Sequence, residues 1–74
     1  MGKPLHDLDA ERSVLGACIL DRQALAVAAA MLPPAAFADQ RHRIVYEALL
    51  DMDDAGAVID LTTLADELRA RNRL

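Results

Sequence analysis

Apolar residues recur at helical spacing in four separate stretches of this chain, and each stretch is bounded by a residue that starts or stops a helix. Leu25, Ala28, Ala29 and Leu32 stand at i, i+3, i+4 and i+7, and so do Leu61, Leu64, Ala65 and Leu68. That spacing puts the members of each set on one face of a 3.6-residue helix, whereas a strand would alternate every second residue. Val45, Ala48, Leu49 and Met52 repeat it, with Ile44 and Leu50 widening the stripe, so this segment reads as a central helix touched on two sides. Nearer the start, Leu8, Leu15 and Ile19, flanked by Val14 and Cys18, line one face as far as Leu20.

The boundaries follow from local chemistry. Asp7 or Asp9 caps the first helix, Asp21 the second and Asp60 the fourth, because a short carboxylate accepts from the free N–H groups of a first turn. Pro33-Pro34 stops the second helix at Leu32, since the residue before a proline is pushed out of the helical region. Pro34 to Phe37 then forms at most one turn, with Phe37 as a core anchor. The third helix spans about Gln40 to Asp53, and Gly56 suits the left-handed position that follows a helix end. Gly16 lies inside the first helix at a cost of up to about 1 kcal/mol against alanine, for which close approach of a neighbouring helix would compensate. Glu67 and Arg71 form an i, i+4 pair worth about 0.3 kcal/mol. The expected fold is all-α: a compact bundle of four to five short helices in a single domain over residues 1–74, with 1–6 a disordered lead-in. Its core draws on Leu8, Val14, Leu15, Cys18, Ile19, Leu25, Leu32, Phe37, Val45, Leu49, Met52, Leu61, Leu64 and Leu68.

Composition supports this. Of 74 residues 54% are hydrophobic, mostly Ala and Leu, with one Phe, one Tyr and no Trp, a mixture that favours helices over strands. So short a chain buries only about 60–65% of its unfolded surface, and its stability margin is thin. Eight Lys and Arg against twelve Asp and Glu give a net charge of −4. A domain that binds nucleic acid gains affinity by neutralising phosphates, so no direct nucleic acid binding is expected. Arg69, Arg71 and Arg73 read as cations that complement the C-terminal end of a helix dipole. Cys18 is the only cysteine and behaves as a small hydrophobe. Neither a signal peptide nor a membrane-length apolar run is present, and a cytoplasmic location is expected.

The residues offer no catalytic, cofactor or metal site. Asp51, Asp53, Gly56 and Val58 occupy places 1, 3, 6 and 8 of a calcium loop, but Ala55 and Thr62 stand where the ion needs oxygen ligands. His6 and His42 are not at metal-ligand spacing, and His42 reads as a partly buried structural residue on the Val45 and Leu49 face. No G-x-x-x-x-G-K-[ST] loop is present, Ser13, Thr62 and Thr63 lack a base partner, and each carboxylate is accounted for by a cap or a wet face.

In order along the chain, Pro4-Leu5-His6-Asp7-Leu8-Asp9-Ala10-Glu11 precedes Val14-Leu15-Gly16. Leu32-Pro33-Pro34 with Phe37 follows, then His42-Arg43 with Val45-Tyr46-Glu47-Ala48. Gly56, Ile59-Asp60-Leu61, Thr63-Leu64-Ala65 and Glu67-Leu68 come last. This ordered set resembles the head of the N-terminal domain of DnaB-type replicative helicases. Ala38-Asp39 and Gln40-Arg41 depart from the family, which commonly has an aromatic and a basic residue after its Phe and a Pro-Ala before its His. The resemblance implies a fragment of a longer parent, an ATP-dependent DNA helicase whose helical hairpin and RecA-like domain are not in these residues. It implies contacts with other copies of the domain in a collar, and with primase and helicase loader, while ATP and Mg belong to the parent's ATPase domain. Without the hairpin the fragment is expected to be monomeric or weakly dimeric. A stand-alone helical adaptor is the alternative that periodicity allows, and a helix-turn-helix DNA binder is disfavoured by the long acidic segment between the third and fourth helices.

Overall fold

A computed structural model of the protein describes residues 7–71. The expected lead-in, with His6, and Arg73 lie outside the described residues. The elements are α1 (Leu8–Leu20), α2 (Arg22–Met31), a 3₁₀ turn (Pro34–Ala36), α3 (Gln40–Asp54) and α4 (Leu61–Ala70), and there is no strand among the described residues.

Every α-helix starts on an aspartate. Asp7, Asp21 and Asp39 accept from the N–H two residues on, at 2.9, 2.9 and 2.7 Å. Asp60 accepts from Thr63 N at 2.8 Å while Asp60 N donates to Thr63 Oγ1 at 2.9 Å, a reciprocal box that satisfies two otherwise orphaned donors. Each such cap is worth about 1 kcal/mol. Asp21 also donates its own N–H to Ala17 O, so one extended residue ends α1 and starts α2, and the chain turns a corner with no loop. At the far end of α3, Gly56 N donates to Asp53 O and Ala57 N to Met52 O. That double closure needs a left-handed residue between, and Gly56 supplies it at φ 69°.

α3 is the central helix, packing against α1, α2, α4 and the 3₁₀ turn, and α1 also packs against α2. The domain measures 35 × 25 × 17 Å, about two helices deep along its shortest axis. Leu15, Cys18, Leu25, Phe37, Leu49, Met52, Leu64 and Leu68 are buried in one cluster, and Val14, Ile19, Leu32 and Val45 are partly buried against it. The interior also takes in Tyr46, which the expected core omits. Its ring stands 4.6 Å from that of Phe37, tilted by 40°, within the range where aromatic pairs attract.

Three expectations are corrected. Leu8 and Leu61 are 42% and 72% exposed and not core. Each is the first residue of its helix, and a helical Cβ leans toward the N-terminus, so these side chains project past the end of the packed face. Gly16 is not a point of close approach: a Cβ built there meets nothing within 4 Å.

Candidate protein-interaction surface

The chemistry of the interior decides which groups remain free to act outside. Glu11, expected on a wet face, is completely buried. Its carboxylate accepts from Ala38 N at 2.6 Å, from Asp39 N at 3.3 Å and from His42 Nδ1 at 2.7 Å. Burial pushes the Glu11 carboxyl up, but the hydrogen bonds from His42, Ala38 and Asp39 outweigh it and the net displacement is below the usual glutamate range. A carboxylate only accepts, so the imidazole is the donor in this contact.

The segment between α2 and α3 is thereby tied down from beneath. Glu11 holds its amides, the Arg43 guanidinium donates to Phe37 O at 3.1 Å and Ala38 O at 3.3 Å, and the Tyr46 hydroxyl donates to Leu32 O at 2.8 Å. These partners read main-chain atoms. The departures at Ala38-Asp39 and Gln40-Arg41 therefore leave the latch intact, and Asp39 becomes the cap of α3. Arg41 donates to the Asp39 side chain both from its guanidinium and from its backbone, holding that carboxyl at about 2. His42 sits where expected, at the opening of α3 and mostly enclosed, but its partner is Glu11 on α1. The sequence signal for this node is weak: a glutamate one turn before Leu15 on the apolar face of α1, facing a histidine 31 residues away.

Elsewhere several carboxylates are taken up by ion pairs. Arg71 bonds Glu67 at 2.6 Å and Asp51 at 3.0 Å, and Arg22 bonds Asp53 at 2.6 Å. Asp51 and Asp53 thus serve arginines. Among the described residues there is no group of three or more His, Cys, Asp or Glu arranged to hold a metal ion. No buried side-chain N or O there lacks a hydrogen-bond partner.

The surface also carries exposed apolar side chains. Gly16, Ile19, Leu20 and Leu61 line a depression of about 190 Å³ where the end of α1 meets the start of α4. Leu20 is 88% exposed and Leu61 72%. Two large aliphatic side chains standing nearly clear of the domain beside a glycine are a costly arrangement for an isolated fold, and contiguous exposed apolar residues mark contact sites. Gly16 finds its role here, since the missing side chain leaves the depression open.

These features define a class: a small all-helical domain whose buried side-chain polar atoms, among the described residues, are all hydrogen-bonded and which exposes an apolar depression. The chain belongs to the family described as the DnaB-like helicase N terminal domain, whose model matches residues 3–74. It is 39% identical over 67 residues to the replicative DNA helicase DnaB of Treponema pallidum, covering 90% of this chain and 15% of that protein. It is 38% identical over 71 residues to DnaB of Geobacillus stearothermophilus, covering 96% and 16%. The crystal structure of the N-terminal domain of DnaB helicase from Mycobacterium tuberculosis superposes with a TM-score of 0.88 at 40% identity, covering 93% of this chain and 50% of that one. The chain thus spans about one sixth of the length of these helicases. No helix among the described residues is long and apolar enough to cross a membrane.

Proposed function

We propose that this chain is the non-catalytic protein-interaction and ring-assembly domain of a replicative hexameric DNA helicase, contributing to the collar and to docking of primase and loader during DNA replication. The observation that carries this is the depression of Gly16, Ile19, Leu20 and Leu61, an oily contact face on a domain matched over nearly its whole length by the helicase N-terminal family. In this reading the chain itself needs no cofactor. ATP and Mg act in the ATPase portion of the parent helicase, which works in the cytoplasm, and the domain touches neither DNA nor membrane.

The experiment compares the wild-type chain with Leu20→Asp and Leu61→Asp, each titrated with the cognate primase and loader and each sedimented alone. Both leucines are exposed, so the variants keep their fold. The reading expects weak self-association at most for the isolated chain, and loss of contact with at least one partner in both variants. Unchanged association with copies, primase and loader in both variants overturns the assignment of this face. ATP turnover by the chain overturns the non-catalytic reading.

A further inference from the structure

A second hollow lies at the opposite edge of α4, and it differs in its electrostatics. Met52, Ala57, Val58, Thr63, Asp66 and Glu67 line an open groove of about 330 Å³ between the end of α3 and the side of α4. Met52 is its buried floor and Val58, 71% exposed, its wall. The Thr63 hydroxyl is engaged in the helix cap, accepting from Asp60 N and donating to Asp60 O.

The charge around it is one-sided. The groove lining carries two carboxylates and no basic residue. Of the seven carboxylates in residues 44–68 four pair with just three arginines from outside that span, Arg22, Arg69 and Arg71, so the surroundings stay net negative. Asp66 and Glu67 form the rim, and their arginine partners come from beyond it. The pair of Asp66 with Arg69 has both side chains more than half exposed, the kind of contact that contributes little and exchanges readily for another cation. A methionine floor suits this as well, because an unbranched thioether repacks around different aliphatic shapes.

We propose that this groove docks a cationic amphipathic segment of a partner protein. An aliphatic side chain enters against Met52 and Val58, and a lysine or arginine beside it meets Asp66. Charge complementarity selects that occupant, since nucleic acid, anionic lipid and a second copy of this acidic chain are all repelled by the same rim. The proposal rests on reading the domain as a docking module, but it uses a different face from the Leu20 and Leu61 depression.

The test titrates the isotope-labelled chain with a synthetic helical peptide that carries a leucine stripe flanked by lysines. Amide shifts are expected at 52, 57, 58 and 63, with affinity falling as salt rises. Val58→Arg, at an exposed position, is expected to weaken binding by about tenfold or more through lost apolar contact and added repulsion. Asp66→Lys, a surface change that leaves Val58 in place, is expected to weaken it too and serves if the first variant folds poorly. Equal binding by a peptide with serines replacing leucines reduces the effect to bulk charge and overturns the proposal. So do shifts mapping elsewhere, or full affinity in both variants. Titration of the same variants with primase and loader separates the two readings, because contact through Leu20 and Leu61 should be untouched by changes at Val58 and Asp66.

Discussion

Replacing Tyr46 by phenylalanine removes one oxygen from the middle of the domain and leaves almost everything else in place. The ring stays, so its packing against Phe37 is retained, and the volume change is small. What is lost is the bond from the hydroxyl to Leu32 O, 2.8 Å long. That carbonyl closes α2, and the next residue is a proline without an N–H. The last carbonyls of a helix have no partner within it, so the tyrosine supplies what the local chain does not. The net value of such a bond is about 0.5–1.5 kcal/mol, and stranding a partly enclosed acceptor moves the cost toward the upper end, so we expect a loss of about 1–2 kcal/mol. Unfolding entropy of about 2.1 cal/mol/K per residue gives about 0.15 kcal/mol/K for a chain of this size, and the Tm should fall by about 6–13 °C.

Thermal and urea unfolding followed by circular dichroism measure this, with an unchanged urea slope showing that the end states are the same. Tyr46 is the only tyrosine, so phenolate absorbance reports on this site alone. Its ionisation is pushed up, first by burial and then by the neighbouring Cys18. A raised phenol value means the contribution is complete below the unfolded value of about 10 and is lost as pH rises toward the folded one. Tyr46→Phe should therefore also remove an alkaline limb from the stability profile. A Tm within about 2 °C of wild type, with the same urea slope, would show that the hydroxyl adds nothing and that the α2 terminus is held by packing alone.

Three further outcomes are expected. Gly16→Ala should raise stability by about 0.5–1 kcal/mol in urea melts, since helix propensity favours alanine and the added methyl meets no atom within 4 Å; a decrease would mean that a neighbour closes over this position in solution. Lowering the pH from about 4.5 should destabilise the domain progressively, because Glu11 and Asp39 both ionise below their ordinary values and such contributions persist above the unfolded value and vanish as pH falls through the folded one. Asp39 accounts for the stretch from 3.8 down to about 2, and Glu11→Gln, which cannot accept three donors as a carboxylate does, should be weaker at neutral pH with a shallower acid limb; an unaltered limb would place the acid sensitivity elsewhere. Leu15→Asp and Leu64→Asp should each abolish cooperative melting, since burial of each leucine contributes about 1.5–3 kcal/mol and a charge would stand among apolar neighbours; a cooperative transition in either would refute the faces assigned to α1 and α4.

The legible parts of this fold are those whose cause lies within a few residues. Asp21, Asp60, Pro33-Pro34 and Gly56 act on their own turn, and the structure puts a cap, a stop or a left-handed residue at each. The third helix is harder to orient because its stripe is broad. Val45 suggests the centre of the face, whereas the enclosed positions are Tyr46, Ala48, Leu49 and Met52, a rotation that brings the tyrosine inward to Phe37. Periodicity also overreaches at helix starts, where Leu8 and Leu61 satisfy the spacing but have no turn before them to carry a packed neighbour. The Glu11 node is the deepest omission. Its partners are 27 to 31 residues away, two of them backbone amides, and nothing local separates this carboxylate from the capping ones around it.

That omission bears on how the domain presents its surfaces. A buried carboxylate satisfied by two amides and an imidazole adds little net stability over an apolar substitute, yet removing any partner leaves a stranded charge, so it enforces one arrangement of α1, the connecting segment and α3. Fixing α1 against α3 in turn fixes the end of α1 against α4, since α3 packs on both. The depression of Gly16, Ile19, Leu20 and Leu61 lies between the two helices so placed. Association on a preformed face spends little on ordering side chains, which is how a small oily patch achieves useful affinity. The node is therefore expected to help hold the patch in place. A Glu11→Gln chain that still melts cooperatively should lose partner contact along with the wild-type shifts at Gly16 and Leu61, and full contact by such a chain would mean the face is set by apolar packing without the latch.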